Sequence, residues 1–434
     1  MTENNKHKSK KNALNLALVT GLALHGLPAL AATSLDDLKQ ELDAQRKLIQ
    51  QLQDKLKTTG QTQDKQEARD RSLKNRSTVS FYGILDTGVE YITNVADEGD
   101  GGESLTRIPS VTGALPSRLG MDAHIEFAEG YKGLAKFEAG FNPDDANQRQ
   151  GGRLFGRQLY VGLQTPYGQL TVGRQYSQLL FAEAVSDLMG PNIYGIGSVD
   201  AYIPNARWDN SLAWSHQFTD RISAGVSYSF GRDTGGGGAP GSGHCSGENS
   251  QVGDSSACRA WSAMLKYDTG TFGLAGGIDT QNGGNDAQAY FFNGVAPIDM
   301  SDSSDTDQRI ILGGYVKLAD ITIGTGWLGR EVDTSETNVQ SDTYYITGRY
   351  PVTPKFTLGG GVYRITNDDQ DADATESVIR GMYHITTGLE GYVQVGHVSN
   401  SDNAAYMVSA GGGDVSPPRG ENQTGTMVGL QYRF

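Results

Sequence analysis

The residues of this 434-residue sequence with the most specific chemistry lie close together, between Arg153 and Asp187. Arg153 and Arg157 stand in RLFGRQLYVGL and Arg174 in QLTVGRQY. Both segments are rich in β-branched and aromatic residues, and Pro166-Tyr167-Gly168 between them marks a tight turn. Ser177 to Gly190 follows, amphipathic and partly helical in pattern, with carboxylates at Glu183 and Asp187. A basic hairpin feeding an acidic loop sets fixed cations against fixed anions. Two such walls sort and orient charged solutes but break no bond.

Bond-making chemistry finds no support elsewhere in the chain. There is no HExxH, G-x-S-x-G, Walker loop or paired CxxC. His124, His216, His384 and His397 are scattered without a nucleophile pattern. Asp368, Asp369, Asp371 and Asp373 offer hard oxygen ligands for Ca²⁺, yet the Gly turn and distal Glu of an EF-hand loop are missing, so a solvated acidic loop is expected. The expectation is therefore no catalytic residue, no metal site and no cofactor.

Residues 1–31 have the pattern of an export signal: Lys6, Lys8, Lys10 and Lys11, an apolar run from Ala13 to Leu30, and Ala29-Leu30-Ala31 at the cleavage point. Losing four lysines and Glu3 with this leader takes the formal charge from −14 to about −17, which argues against a nucleic-acid partner. Export also implies an oxidising compartment. Cys245 and Cys258, in a long polar segment, are expected to form a disulfide there.

Residues 32–58 predict a helix of coiled-coil type. Leu35, Leu42, Ile49 and Leu56 share one heptad position and Leu38, Gln45 and Leu52 the other, a narrow apolar seam that asks for partner helices. Residues 59–77 are polar and charged and are expected to be a linker. With 58 Gly, 20 Tyr and only 37% hydrophobic residues, the remainder fits neither a helical membrane protein nor a large buried core. It fits a barrel whose strands are apolar on alternate positions only.

Residues 78–434 accordingly predict an all-β fold, a 16-stranded antiparallel transmembrane β-barrel. Candidate strands fall near 79–91, 117–127, 131–141, 153–164, 169–176, 206–217, 220–230, 258–268, 270–279, 307–318, 320–331, 341–350, 355–365, 376–386, 389–398 and 422–434. Ile222, Ala224, Val226, Tyr228 and Phe230 alternate with Arg221, Ser223, Gly225, Ser227 and Ser229. Short turns such as Glu129-Gly130 and Thr269-Gly270 alternate with long polar loops, the arrangement of outer-membrane barrels.

Several motifs resemble the trimeric general porins of Gram-negative bacteria. Ser80-Phe81-Tyr82-Gly83 looks like that family's first strand, Ser117-Arg118-Leu119-Gly120 its second, and Gly173-Arg174-Gln175-Tyr176 the end of its fifth, while Phe434 after Tyr432 resembles its assembly signal. The resemblance implies that the third loop folds into the barrel and narrows a water-filled pore. It places Arg118, Arg157 and Arg207 in the cluster of pore arginines and Asp187, with Glu183, on the facing loop. Tyr82, Lys136, Arg153 and Arg174 are expected along the lumen, Lys136 and Arg153 by strand parity. The implied partners are two further copies of the chain, outer-membrane lipid and lipopolysaccharide, small hydrophilic solutes and ions, and the barrel-assembly machinery through Phe434. Polar residues taken as outward-facing, such as Gln158, suit the contact between copies.

The sequence departs from the family at Ile84, where some members carry a pore lysine, and at Met189-Gly190-Pro191-Asn192, which lacks the loop's Pro-Glu-Phe. The reading is an outer-membrane diffusion channel with its coiled coil in the periplasm. A sugar-selective porin is the alternative, since some sugar porins also carry a coiled coil. A trimeric autotransporter adhesin is disfavoured because each of its chains supplies only a few strands.

Overall fold

The computed structural model describes residues 35–74, 76–96, 102–232, 245 and 253–434, so the expected leader lies outside the described residues. The chain forms two units, one ending at Lys74 and one spanning Asn75–Phe434. In the first, helix α1 runs Leu35–Lys74. It crosses most of the stretch expected as linker, because residues 59–74 are rich in Gln, Lys, Glu, Arg and Ala and hold no proline, and Gly60 alone does not stop a helix. At 1.5 Å per residue, α1 is about 60 Å long. Within this chain Leu42, Ile49, Leu52 and Leu56 of the seam stay 39–61% exposed.

The second unit is a closed barrel of sixteen antiparallel strands. They are β1 (Ser77–Ala96), β2 (Arg118–Ala128), β3 (Tyr131–Gly140), β4 (Gln158–Thr165), β5 (Gly168–Tyr176), β6 (Arg207–Gln217), β7 (Ile222–Ser229) and β8 (Ala260–Asp268), then β9 (Phe272–Asn282), β10 (Thr306–Leu318), β11 (Ile321–Asp333), β12 (Asn338–Thr353), β13 (Phe356–Thr366), β14 (Ala374–Thr386), β15 (Leu389–Asn400) and β16 (Gln423–Arg433). Each strand pairs with the next in sequence. The ring closes from Ile84↔Arg433 to Ile92↔Gly425 between β1 and β16, leaving no open edge. The largest shifts against the sequence expectation are at β4, which starts at Gln158 rather than Arg153, and at β1, which runs on to Ala96 rather than Tyr91.

Alternation sets the two faces of the wall. On β16, Val428, Leu430 and Tyr432 are 48–58% exposed outward while Gln423, Met427 and Gln431 are buried inward. At the short-turn rim the outer face carries aromatic rings, among them Trp214, Phe218 and Tyr432, with Trp214 and Phe218 6.0 Å apart. The final residue seals the closure: Gly83 and Phe434 exchange two backbone hydrogen bonds of 3.0 and 3.2 Å, and the Phe434 ring covers Gly83 where a Cβ would collide with it. That explains glycine after Tyr82 in the first-strand motif.

Long loops gather at the other rim. The loops after β1, β5 and β15 are knitted together by Ile193 N–H to Gly113 O (2.8 Å), Ala410 N–H to Ile193 O (2.7 Å) and Val111 N–H to Gly411 O (2.9 Å). Their apolar residues Ile193, Tyr194, Val199, Tyr406 and Val408 are at most 1% exposed and form one cluster. Cys245 and Cys258 are joined as a disulfide, Cα–Cα 5.6 Å, and pack with Phe291, Met300, Val332 and Val339 in a second cluster.

Candidate pore constriction

The loop after β5 enters the barrel through two short helices, α2 (Gln178–Glu183) and α3 (Ile196–Val199). Its first part lies on the inner wall at β8 to β10. Close approach there requires missing side chains: a Cβ on Gly277 would meet Ala182, and one on Gly313 would meet Ser186. Gln178 N–H donates to Ser262 Oγ at 3.0 Å. Further on, Arg309 of β10 grips the loop at Asp200 (2.8 Å) and also pairs with Asp307 (3.0 Å), which Arg330 holds at 2.9 Å. The reading of the sequence missed this buried ladder. Its signal was Asp307 and Arg309 at alternate positions of β10, on the face that continues with Ile311 and Gly313.

Opposite the loop, three arginines rise from the wall. Arg157 donates from Nε to Glu138 Oε1 (2.8 Å) and from Nη2 to the Tyr176 hydroxyl (2.7 Å). Glu138 also accepts from Tyr82 at 2.8 Å and Gln158 at 3.3 Å. Arg207 donates to the same Tyr176 hydroxyl, and its guanidinium lies 4.4 Å from the Tyr176 ring centre. Arg118 and Lys136 line the same cavity, Lys136 paired with Asp122 at 2.8 Å. Gln158, taken from sequence as outward-facing, points inward, since Leu159 and Val161 occupy the outer face.

The carboxylates of the loop do not complete this site as the sequence suggested. Glu183 and Asp187 are 3% and 4% exposed at the border of the cavity that the arginines line, and the bonds of this stretch run to β12 and β13. Tyr363 donates its hydroxyl to Asp187 Oδ1 at 2.8 Å, the Met189 N–H adds a second bond at 2.9 Å, and Ser186 bonds the Tyr345 hydroxyl at 2.6 Å. Burial first, then the charge of Asp187 four residues on, pushes the Glu183 carboxyl well above the usual carboxylate range. Burial raises Asp187 as well, against the lowering effect of its hydrogen bonds. Burial and the Asp187 charge both favour the protonated form of Glu183. Leu180, Phe181, Ala184 and Leu188 of the loop border the same cavity beside these two carboxyls.

A second basic rank completes the ring. Arg349, Arg380 and Arg433, from β12, β14 and β16, line the same cavity of about 910 Å³ together with Arg118, Arg157 and Arg207. Nε of Arg207 and Nη1 of Arg380 are buried without a hydrogen-bond partner. These three far arginines were missed because the family motifs stop at the third loop; inward parity on the late strands was the available signal.

Arg153 and Arg174 correct the sequence reading in the other direction. Both pair with Asp209, at 2.8 and 2.9 Å, on the outside of the barrel among Leu159, Val172 and Phe230. Arg153 precedes β4, in a turn closed by Gly156 N–H to Arg153 O, so strand parity does not govern it. Arg174 shares the outer face with Leu170 and Val172, and is cross-strand to Leu159. The carboxylates of the acidic loop at Asp368–Asp373 are taken up by hydrogen bonds: Asp369 accepts from Gln340 N–H (2.7 Å), Asp371 from Asn403 (2.7 Å) and Asp373 from Asn367 N–H (3.0 Å). Among the described residues no cluster of three His, Cys, Asp or Glu could hold a metal ion.

An apolar outer band, a charged lumen and a loop lodged within a closed sixteen-stranded ring define the class: a transmembrane β-barrel channel. Residues 63–403 match the Gram-negative porin family, and the chain belongs to that family. It is 30% identical over 169 residues to an outer membrane porin protein of Bordetella pertussis, covering 36% of this chain and 43% of the relative. The chain thus matches about two fifths of that relative's length. In fold it is similar to an anion-selective porin from Comamonas acidovorans (TM-score 0.68, 18% identity, 82% of this chain and 100% of that one). It is also similar to OmpT of Vibrio cholerae (0.58, 16%, 83% and 98%) and to OmpF of Salmonella typhi (0.55, 13%, 83% and 99%).

Proposed function

We propose that this porin forms a water-filled channel in the bacterial outer membrane through which ions and small hydrophilic solutes diffuse passively, with anions favoured. One observation carries the preference: Arg118, Arg157, Arg207, Arg349, Arg380 and Arg433 line one cavity, while the loop's two carboxyls at its border are buried and burial favours the neutral form of Glu183. The chain as a whole is at −14, but charges on distant loops are screened beyond about 10 Å at 0.1 M salt, so the local basic ring dominates. The Comamonas acidovorans relative in fold, named as anion-selective, supports the same sign. No bond-making step is needed for this activity. Reversal potentials in planar bilayers across a KCl gradient test it: chloride preference is expected, potassium preference would overturn the anion reading, and a silent bilayer the channel itself.

Tyr82 ring faces and the Tyr160, Tyr176 and Phe181 rings at the cavity favour a second reading, a sugar-selective channel, because pyranose faces stack on such rings. Concentration-dependent block of chloride current by a neutral oligosaccharide would favour it. We also propose a homotrimer built through the barrel walls, with α1 seams joined as a periplasmic coiled coil, lipopolysaccharide around it, and Phe434 read by the assembly machinery. The exposed Leu42, Ile49, Leu52 and Leu56 support the coiled coil. Deleting residues 34–58 is expected to leave a conducting trimer of lower heat resistance; monomers on a native gel would reverse that ranking of the two contacts.

A further inference from the structure

The loop at the constriction sorts its side chains by polarity. Between Gln178 and Leu188 its polar residues Gln178, Glu183, Ser186 and Asp187 are buried, while Phe181 is 45% exposed and Ala184 is exposed too. An aromatic ring so open to a water-filled bore forgoes a large part of the gain of burial. A single exposed ring is ordinary on a protein surface; the neighbours of this one are not. The Phe181 ring meets the Tyr176 ring edge-on, with centroids 6.3 Å apart and planes at 76°. Tyr176 in turn lies against the Arg207 guanidinium, 4.4 Å from its ring centre, and its hydroxyl accepts from Arg207 and from Arg157. Among the described residues Arg207 finds only neutral acceptors, the Tyr176 hydroxyl, Asn205 Oδ1 at 3.3 Å and Pro204 O at 3.3 Å, and its Nε finds none. An open ring therefore stands one aromatic contact away from a guanidinium to which no carboxylate bonds, and both border the cavity of about 910 Å³.

That pairing selects on two properties at once. A flat solute with a ring and a carboxylate can set its ring against Phe181 in a stacked or edge-on arrangement while its carboxylate accepts charge-assisted bonds from guanidinium N–H groups. A small inorganic anion would use the arginines and leave the ring idle. A neutral sugar has a ring face but also needs acceptors for its hydroxyls, and the loop's acceptors at Gln178, Glu183 and Asp187 are buried. A saturated ring acid would gain the apolar contact without the aromatic geometry. One ring contact beside one charged bond is favourable enough to draw a solute in and weak enough to release it, which is the condition for conduction.

We infer that the constriction favours aromatic monocarboxylates over other anions of equal or smaller size, with Phe181 as the ring contact and Arg207 as the carboxylate contact. The inference rests on the anion-favouring channel proposed above and names its solute class. The test places the full chain in planar bilayers and reads permeability ratios from reversal potentials with the sodium salts of benzoate, cyclohexanecarboxylate and acetate, followed by a KCl gradient on the same membranes. Size alone would make benzoate less permeant than acetate. Wild type is expected to pass benzoate about threefold better than either acetate or cyclohexanecarboxylate, the advantage one aromatic contact supplies. Phe181→Ala should bring benzoate down to cyclohexanecarboxylate, and Phe181→Tyr should keep the advantage. A wild type that passes benzoate no better than acetate, or no better than cyclohexanecarboxylate, would overturn the assignment, as would an advantage that survives Phe181→Ala. Should Phe181→Ala fail to insert, Phe181→Leu, which keeps apolar volume without a ring, decides by the same ratio. The KCl gradient separates the two levels: chloride preference without a benzoate advantage refutes the solute class alone, whereas potassium preference refutes the anion reading and this inference with it.

Discussion

Arg153 and Arg157 are four residues apart in sequence and end on opposite sides of the barrel wall. Arg157 is 2% exposed, locked to Glu138 and Tyr176 in the lumen, whereas the side chain of Arg153 is 24% exposed and faces Asp209 outside. Chemically identical side chains thus serve different solvents. The difference comes from where the pleat begins. Arg157 lies just before β4, outside its alternation, and is drawn inward by its bonds to Glu138 and Tyr176, while Arg153 lies beyond a turn and is placed by a bulge in β6. Reading which side an arginine serves therefore needs the strand boundary, not the residue count.

The largest effect expected from breaking this contrast is on stability. Removing one member of a buried ion pair leaves an uncompensated charge and costs about 3–5 kcal/mol, while exposed pairs are worth about 1 kcal/mol or less. Arg157→Gln should accordingly lower the urea midpoint in lipid vesicles far more than Arg153→Gln, and adding Glu138→Gln should restore most of the loss. Equal, small losses for both single variants would show that water screens the lumen pair as fully as the outer one.

Next in size is selectivity. A unit charge several ångströms from the ion path, at an effective dielectric near 20, is worth roughly 1 kcal/mol after screening. Arg118→Gln and Arg380→Gln should each lower the chloride-to-potassium permeability ratio about two- to fivefold in reversal-potential measurements, and Arg174→Gln should leave it unchanged. A shift from Arg174→Gln as large as from Arg118→Gln would put both on the same side of the wall.

How much of this was legible in the sequence follows from the range of the forces involved. Period-two alternation and turn residues are local, so sixteen strands and their approximate limits could be read directly; the inward third loop came from the resemblance to the porins, and the pairing of Cys245 with Cys258 from the export signal. What could not be read was which way individual side chains point where the pleat is interrupted. Gln158, Arg153 and Arg174 were misplaced at a strand start, a turn and a bulge, each a one-residue matter that flips the face. The carboxyls of the loop were misplaced for another reason. A helix of six residues has two sides, and only the glycines at Gly277, Gly313 and Gly324, far along the chain, determine that its Glu183 and Asp187 side is the one that fits against the wall. Nor could the seam of α1 announce that the helix continues to Lys74, since helix propensity without an apolar stripe is a weak signal.

A smaller effect separates the buried carboxyl pair from the open lumen through pH. Glu183 holds its proton in the folded barrel above the pH at which an unfolded chain releases it, so the folded state binds more protons across that interval. Stability then falls as pH rises through the usual carboxylate range and above it, until Glu183 itself ionises, by up to about 1.4 kcal/mol per pH unit for one proton. Glu183→Gln should flatten that part of the urea-midpoint profile between pH 4 and 7. A slope identical in wild type and variant would place the proton elsewhere.

The smallest expected change is the most diagnostic for the loop. If Asp187 faced the arginines across the bore, Asp187→Asn would remove a negative wall and raise anion preference about as much as Arg157→Gln lowers it. In the geometry found here its carboxylate is turned toward Tyr363, accepts two hydrogen bonds and is only 4% exposed. Burial favours the neutral form of Glu183, which leaves the pair with a single negative charge, and Arg380 on the wall lies close enough to feel it. Asparagine keeps the acceptor oxygen for Tyr363 and Met189, so the loop should stay seated. The permeability ratio should therefore move by less than about 1.5-fold, equivalent to roughly 0.25 kcal/mol, with conductance retained. A shift of threefold or more would mean that the loop swings its acidic side into the bore in the membrane, and that both the apolar eyelet and the pH effect assigned to Glu183 belong to a different state of the channel.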